Sequence, residues 1–108
     1  MSQIEQTIVE SKDLNPKIRL KALKQMCPCK VLDDIDKLWT RIFEMVDDTD
    51  PDIRYQVLHT ICDGSPSHLE TQVAESIEKF NHDPDQKIRR RAHKVMASYL
   101  RTGKWNIL

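Results

Sequence analysis

The stretch DTDPDIR at residues 48–54 has two counterparts in the chain, DLNPKIR at residues 13–19 and DPDQKIR at residues 83–89. Positions 13, 48 and 83 follow one another at intervals of 35 residues, so the three copies align without a gap. Self-similarity at a fixed period of this size is typical of stacked supersecondary units that share a continuous core. The repeat therefore predicts a repeat protein rather than a domain built around one active-site cleft.

Length and composition favour one small helical domain. The chain has 108 residues, of which 31% are charged and 39% hydrophobic, and only 2 are Gly. Few glycines and few aromatic residues argue against an all-β fold, and abundant charge on amphipathic runs indicates helices. No apolar run approaches the roughly 18 residues of a membrane span, and the N-terminus lacks a signal-peptide pattern. We expect one soluble, cytoplasmic domain over residues 1–108 that does not associate with a membrane.

The aligned copies predict which side chains face the core. Four apolar columns recur at i, i+4, i+8 and i+9, the inner stripe of a helix, and they contain Ile18, Ile53 and Ile88; Ala22, Val57 and Ala92; Met26, Ile61 and Met96; and Cys27, Cys62 and Ala97. A second stripe precedes each column set and runs through Ile4, Ile8 and Val9; through Leu38, Trp39, Ile42, Phe43 and Val46; and through Leu69, Val73, Ile77 and Phe80. Each unit is therefore predicted to be a helix pair, with repeats at about 1–30, 31–65 and 66–103.

Turn chemistry places the ends of the helices. Asn15 and Asp50 each precede a proline, which suits an N-cap followed by the first helical position. In the third unit the proline, Pro84, comes two positions earlier, so the last helix is expected to start early or to follow a tighter turn. Ser67 has capping-box spacing to a glutamate, and Gly103 is a predicted helix end. Together these signals predict helices at about 2–12, 16–27, 32–47, 51–62, 67–81 and 85–102.

The turn pattern Asp-x-[Asn/Asp]-Pro-x-Ile-Arg, followed by Ala22, Val57 or Ala92, resembles that of the HEAT repeat family. The resemblance covers nearly the whole chain, and the ending at residues 101–106 is similar to that of small stand-alone members. It implies an all-α fold, an α-solenoid of three HEAT-like helix pairs in a right-handed superhelical stack. In such a stack the first helices line the convex side and the second helices the concave side. The third unit departs from the pattern at Gln86, where the other units have proline.

The resemblance also implies a structural ladder between repeats, which would contain Asp13, Arg19, Asp48, Arg54, Asp83 and Arg89. Phosphate binding by the three arginines is the alternative. Each arginine, however, directly follows a predicted core isoleucine and has an aspartate six positions upstream. A pair that satisfies turn backbone groups and helix ends is therefore the more economical interpretation.

The net charge of zero conceals opposite charges on the two sets of helices. The first-helix segments are acidic, with net charges of −2, −5 and −5 for residues 1–15, 31–50 and 63–86. The second-helix segments carry net charges of +5, 0 and +7 for residues 16–30, 51–62 and 87–104. In a HEAT-like stack this segregation implies an acidic convex face and a basic concave face.

Eight side chains outside the core and the ladder are predicted to project from the concave face: Lys21, Lys24, Tyr55, Gln56, His59, Arg90, Arg91 and Lys94. A groove with basic ends suits an acidic peptide, a phosphorylated segment or a nucleic-acid backbone. We predict a non-catalytic binding or scaffold module that holds an acidic protein segment. Nucleic-acid binding through the same face is the alternative function. A third interpretation is that these charges only solvate an exposed helix face and bind no partner. A monomer or an end-to-end dimer is expected.

Catalytic motifs are missing from the sequence. It contains no Gly-rich phosphate loop, no Gly-x-Ser-x-Gly and no His-Glu-x-x-His, so we predict no enzyme activity, no cofactor and no metal. The alkylpurine DNA glycosylases and the phycobilin lyases share HEAT-like architecture, but they are longer and no residues here match their active sites. A small enzyme or lyase subunit of that kind is the least favoured class.

The cysteines are predicted to have a structural role. Cys27 and Cys62 share a column with Ala97, which predicts small core residues. Cys27 and Cys29 have a Cys-x-Cys spacing that could bind a soft metal or undergo oxidation, but no other thiol or histidine lies nearby in sequence. A structural role is therefore the favoured interpretation.

The two tryptophans have different predicted roles. Trp39 lies on the apolar stripe of the third predicted helix and is assigned to the core. Residues 104–108 include Trp105, Ile107 and Leu108 and are expected to fold back as a cap, because repeat arrays need their end faces covered. A tail that docks a partner is the alternative.

Overall fold

The computed structural model describes residues 2–26 and 36–105, and every regular element within them is helical. The helices are α1 (Gln3–Glu10), α2 (Pro16–Gln25), α3 (Asp36–Glu44), α4 (Pro51–Gly64), α5 (Glu70–Phe80) and α6 (Gln86–Thr102). Short 3-10 helices at Met45–Asp47 and Ser67–Leu69 follow α3 and precede α5. The all-α prediction is confirmed.

The second helix of each unit starts at the same position of the repeat. Asn15 caps α2 by accepting the Lys17 amide, and Asp50 caps α4 by accepting the Asp52 amide, in both cases with proline at the start of the helix, as predicted. In the third unit Asp85 takes the cap position and accepts the Ile88 amide at 3.1 Å. The helix therefore does not start early, because a capping aspartate is present at the usual position although proline is not.

Two other predicted helix ends have opposite outcomes. Ser67 does not cap α5: it lies inside a 3-10 helix, and no side chain caps either that helix or α5. Pro66 takes the extended conformation that a capping residue needs, so the Ser67 hydroxyl is not placed over the free amides. Gly103 ends α6 as predicted, with a left-handed φ of 76° and its amide donating to the Tyr99 carbonyl.

The middle unit supplies most of the core. The buried residues of α4 are Ile53, Val57, Leu58, Thr60, Ile61 and Cys62. On the predicted stripes of α3 and α5, Trp39 and Phe80 are also buried, whereas Phe43 and Leu69 are half-buried against the core. This burial follows from position, because α4 packs against α2, α5 and α6.

The predicted core columns are incomplete in the end units. Ile18 is 39% exposed and Ala97 is exposed, so the prediction that their columns are uniformly buried is wrong at these positions. Val9, on the predicted stripe of α1, is also exposed. An end unit has one neighbouring unit instead of two, so one side of its apolar surface has less to pack against.

The contacts between helices follow the chain. α2 packs against both α1 and α4, and α6 packs against both α5 and α4. The second helices therefore lie next to one another in chain order. First helices are connected as well, since Arg41 on α3 donates through Nε to Ser11 Oγ at 2.8 Å and through Nη2 to the Ser11 carbonyl at 2.9 Å.

Candidate binding surface

Paired aspartate and arginine side chains join the turns of successive units. Arg19 donates through Nε to Asp48 Oδ2 and through Nη2 to Asp48 Oδ1, both at 3.0 Å. Arg54 makes the same two-pronged contact with Asp83, at 2.9 Å and 3.2 Å. These side chains are largely buried, and the hydrogen bonds that the guanidinium groups donate to the carboxylates raise the pKa of Arg19 and Arg54.

The same residues hold the backbone of their own turns. Nη1 of Arg19, Arg54 and Arg89 donates to the carbonyl of Asp13, Asp48 and Asp83 respectively. Oδ1 of each of those aspartates accepts the amide two residues further on. With these bonds made, the guanidinium groups of Arg19 and Arg54 have little capacity left for a ligand.

Four of the eight predicted concave-face residues come together at one pocket. It has a volume of about 290 Å³ and is lined by Tyr55 from α4 and by Gln86, Lys87, Arg90, Arg91 and Lys94 from α6. Lys87 places its Nζ 4.4 Å from the centre of the Tyr55 ring, a cation–π contact that bridges the two helices. Among the described residues that line the pocket, none carries a carboxylate, so the lining is positively charged.

The other four predicted residues do not line that pocket. Lys21 and Lys24 are exposed on α2. Gln56 uses its side-chain amide to donate to the buried Thr60 hydroxyl at 3.3 Å, and His59 is half-buried on α4. The structure thus separates a concentrated cationic site between α4 and α6 from two exposed lysines one unit away.

Two lining residues of the pocket, Lys87 and Gln86, are not among the eight residues predicted from the sequence for the concave face. In the sequence, Lys87 contributes to the charge of its segment, and Gln86 departs from the repeat pattern. A signal for Lys87 was present, because positions 87, 90, 91 and 94 have the i, i+3, i+4, i+7 spacing of one helix face. The contact with Tyr55 had no such signal, since it depends on how α6 packs against α4.

The described cysteine is structural. Cys62 is buried in α4, and desolvation raises the pKa of its thiol to about 12, against a smaller opposing effect of Arg91. A thiol with that pKa stays protonated at neutral pH and is a poor nucleophile. The core prediction is confirmed for Cys62, whereas Cys27 and Cys29 lie outside the described residues.

Trp105 lies against the last helix. Its ring stacks on Tyr99, with centroids 3.7 Å apart and planes 1° from parallel, and it is half-buried against the core. The Tyr99 hydroxyl donates in turn to Glu70 at the start of α5. Trp105 therefore packs back against α6 and the core, and Ile107 and Leu108 lie outside the described residues.

Within residues 2–26 and 36–105, no three His, Cys, Asp or Glu residues are grouped to hold a metal ion. Among the helices of the same residues, none is long and apolar enough to cross a membrane. No protein-family model, no curated protein and no solved structure matches the chain.

Proposed function

We propose that the chain is a three-repeat α-solenoid of the HEAT type, in which α1 with α2, α3 with α4, and α5 with α6 form the units of a right-handed stack. The proposal is supported by the contacts of α2 with α4 and of α4 with α6. It is further supported by the matched pairs Arg19–Asp48 and Arg54–Asp83, which connect equivalent turns of successive units. The second helices then form the inner, concave layer.

We propose further that this layer is the working surface of a non-catalytic, cytoplasmic binding or scaffold module whose ligand is an acidic segment of another protein. The observation that carries this function is the pocket between α4 and α6, where four cationic side chains converge and none of the described lining residues is acidic. Lys21 and Lys24 extend the positive charge along α2. An acidic segment that crosses α6, α4 and α2 would meet positive charge at both ends.

The pairing of other charges argues against a merely solvated face. On the first helices, cations are matched with acids: Lys37 with Glu5 at 3.9 Å, Arg41 with Glu44 at 3.5 Å, and Lys79 with Asp47 at 2.7 Å. Within the described part of the chain, no such ion pair involves the four cations of the pocket. Unpaired like charges held close together repel one another, so this arrangement favours binding of an anion.

The test combines peptide selection with a charge-reversed variant. Selection of a random peptide library on the protein should enrich sequences rich in Asp and Glu. Lys21→Glu combined with Arg90→Glu should weaken the selected peptides roughly a hundredfold, because it replaces two attractive charges by two repulsive ones. Both side chains are exposed, so the melting temperature should not change.

The matched control is Lys12→Glu combined with Lys104→Glu, which makes the same change in net charge at exposed positions outside the second helices. It should leave peptide affinity nearly unchanged. An equal loss of peptide affinity in both double variants would refute the assignment of this face. Selection of peptides that are not enriched in acidic residues would refute it as well. Tight, strongly salt-dependent binding of random duplex DNA at about 50 mM salt, with no acidic peptide selected, would replace it by nucleic-acid binding.

A further inference from the structure

The pocket between α4 and α6 has a more specific chemistry than a diffuse basic face. Lys87, Arg90, Arg91 and Lys94 project from one side of α6, and Tyr55 of α4 forms the facing wall. Four formal positive charges therefore surround about 290 Å³. A single carboxylate would compensate one of these charges and would offer only two acceptor atoms.

A phosphate monoester matches this arrangement better. It carries close to two negative charges at neutral pH and three strong acceptor oxygens, so several cations can each contact a different oxygen. Two of the cations here are arginines, whose planar forks bind phosphate through paired hydrogen bonds. We infer that the pocket binds the phosphate group of a phosphorylated side chain within the acidic protein segment that the proposed function assigns to this face.

The Tyr55 ring gives the pocket a fixed wall. Tyr55 is half-buried and packs against the core, so its position is determined by the folded α4. Lys87 is exposed, and its ammonium group lies 4.4 Å from the centre of that ring, a cation–π contact that favours this position of the side chain. A preorganised cation loses less conformational freedom when the ligand arrives, which favours binding at this site over binding at a mobile surface lysine.

The distribution of charge favours a monoester over a nucleic-acid backbone. Each phosphodiester carries one negative charge, and a nucleic acid is bound by cations that follow its length. Here the cations are concentrated on α6, α4 adds none to the pocket, and the segments of the first helices are acidic. One dianionic group fits this pattern better than a row of monoanions.

Three peptides of otherwise identical, acidic sequence test the inference, with Ser, phosphoserine or Glu at the central position. Fluorescence polarisation should give roughly tenfold tighter binding of the phosphoserine peptide than of the Glu peptide, because charge-assisted bonds to a dianion are more numerous. Lowering the pH from about 7.5 to about 5.5 should weaken the phosphoserine peptide, since its second pKa is about 6.

Charge-matched variants locate the effect. Arg90→Gln combined with Lys94→Gln should remove the preference for phosphoserine, whereas Arg101→Gln combined with Lys104→Gln should retain it. All four side chains are exposed, and both double variants change the net charge equally. Unchanged melting temperatures should accompany both.

The possible outcomes separate this inference from the function on which it rests. Equal affinity for the Glu and phosphoserine peptides would overturn the phosphate site and leave the acidic-segment function standing. Binding of none of the peptides would overturn both. If inorganic phosphate binds as tightly as the phosphoserine peptide, the pocket is a small-anion site, and the assignment of a protein segment as its ligand is overturned. Equally effective competition by a DNA oligonucleotide would favour a nucleic-acid partner instead.

Discussion

The first and third turns between paired helices carry the same motif in different surroundings. Ile18 in the first turn is 39% exposed, whereas its counterpart Ile88 is 1% exposed. Asp13 is exposed and caps its own turn at Asn15, whereas the buried Asp83 does the same and also binds Arg54 of the preceding unit. The local sequence therefore determines the shape of a turn. The preceding unit determines how much of the turn is buried and paired, and so how strongly the turn contributes to stability.

The largest effect is expected where the two isoleucines are truncated in parallel. Ile88→Ala removes a fully buried side chain and should lower the free energy of unfolding by about 3 kcal/mol. Ile18→Ala should cost about 1 kcal/mol, because much of that side chain is in water already. Urea denaturation of both variants measures the difference. Equal losses would mean that the end unit is packed as tightly as the third.

An intermediate effect is expected for the two aspartates. Asp83→Ala removes a turn cap and leaves the largely buried Arg54 without its carboxylate, which should cost about 2 kcal/mol or more. Asp13→Ala removes a turn cap alone and should cost about 0.5 kcal/mol. The same denaturation experiment applies.

A double variant sharpens this second comparison. Asp83→Ala with Arg54→Leu should be less destabilised than the sum of the two single variants, because it leaves no unpaired charge. Strict additivity would show that the pair does not interact across the unit boundary.

The smallest effect on stability is expected at one equivalent position of the repeat, which is Cys62 in the middle unit and Ala97 in the last. Burial raises the pKa of Cys62 to about 12, so in folded protein the thiol keeps its proton at pH values where the unfolded chain loses it. The resulting stabilisation is present below about pH 8.5 and is lost as the pH rises towards 12.

Relative to Cys62→Ala, the protein should therefore lose about 1 kcal/mol of stability between pH 7.5 and pH 9.5. Ala97→Cys is the matched control, because its exposed thiol should titrate alike in both states and add no pH dependence. Denaturation curves at the two pH values measure both differences. A pH dependence of the same size in Ala97→Cys would contradict the explanation by burial.

Much of the local structure was predictable from neighbouring residues. Asn15 and Asp50 cap their helices as their sequences indicated, and Gly103 ends α6 in the conformation that glycine favours. Ser67 is the local failure, since a correct capping spacing was overridden by the extended Pro66 before it. Capping was therefore predictable where the cap residue alone determined the backbone conformation.

The candidate site was predictable only in part. The segregation of charge predicts Arg90, Arg91 and Lys94 as surface cations, because the charge of a side chain follows from its residue type. Their assembly with Tyr55 and Lys87 into one pocket was not, since it requires the packing of α6 against α4. Lys21 and Lys24 were predicted from equivalent positions of the repeat, but they lie outside that pocket.

The period, the paired helices and the capped turns follow from the amino-acid sequence, because they depend on interactions within one or two helical turns. The partners of charged residues do not. Arg54 and Asp83 meet across 29 positions, and the exposed and buried members of the isoleucine column have nearly the same local sequence. Packing between units decides which charges are neutralised and which stay open to a ligand, because desolvation and ion pairing depend on neighbours in space.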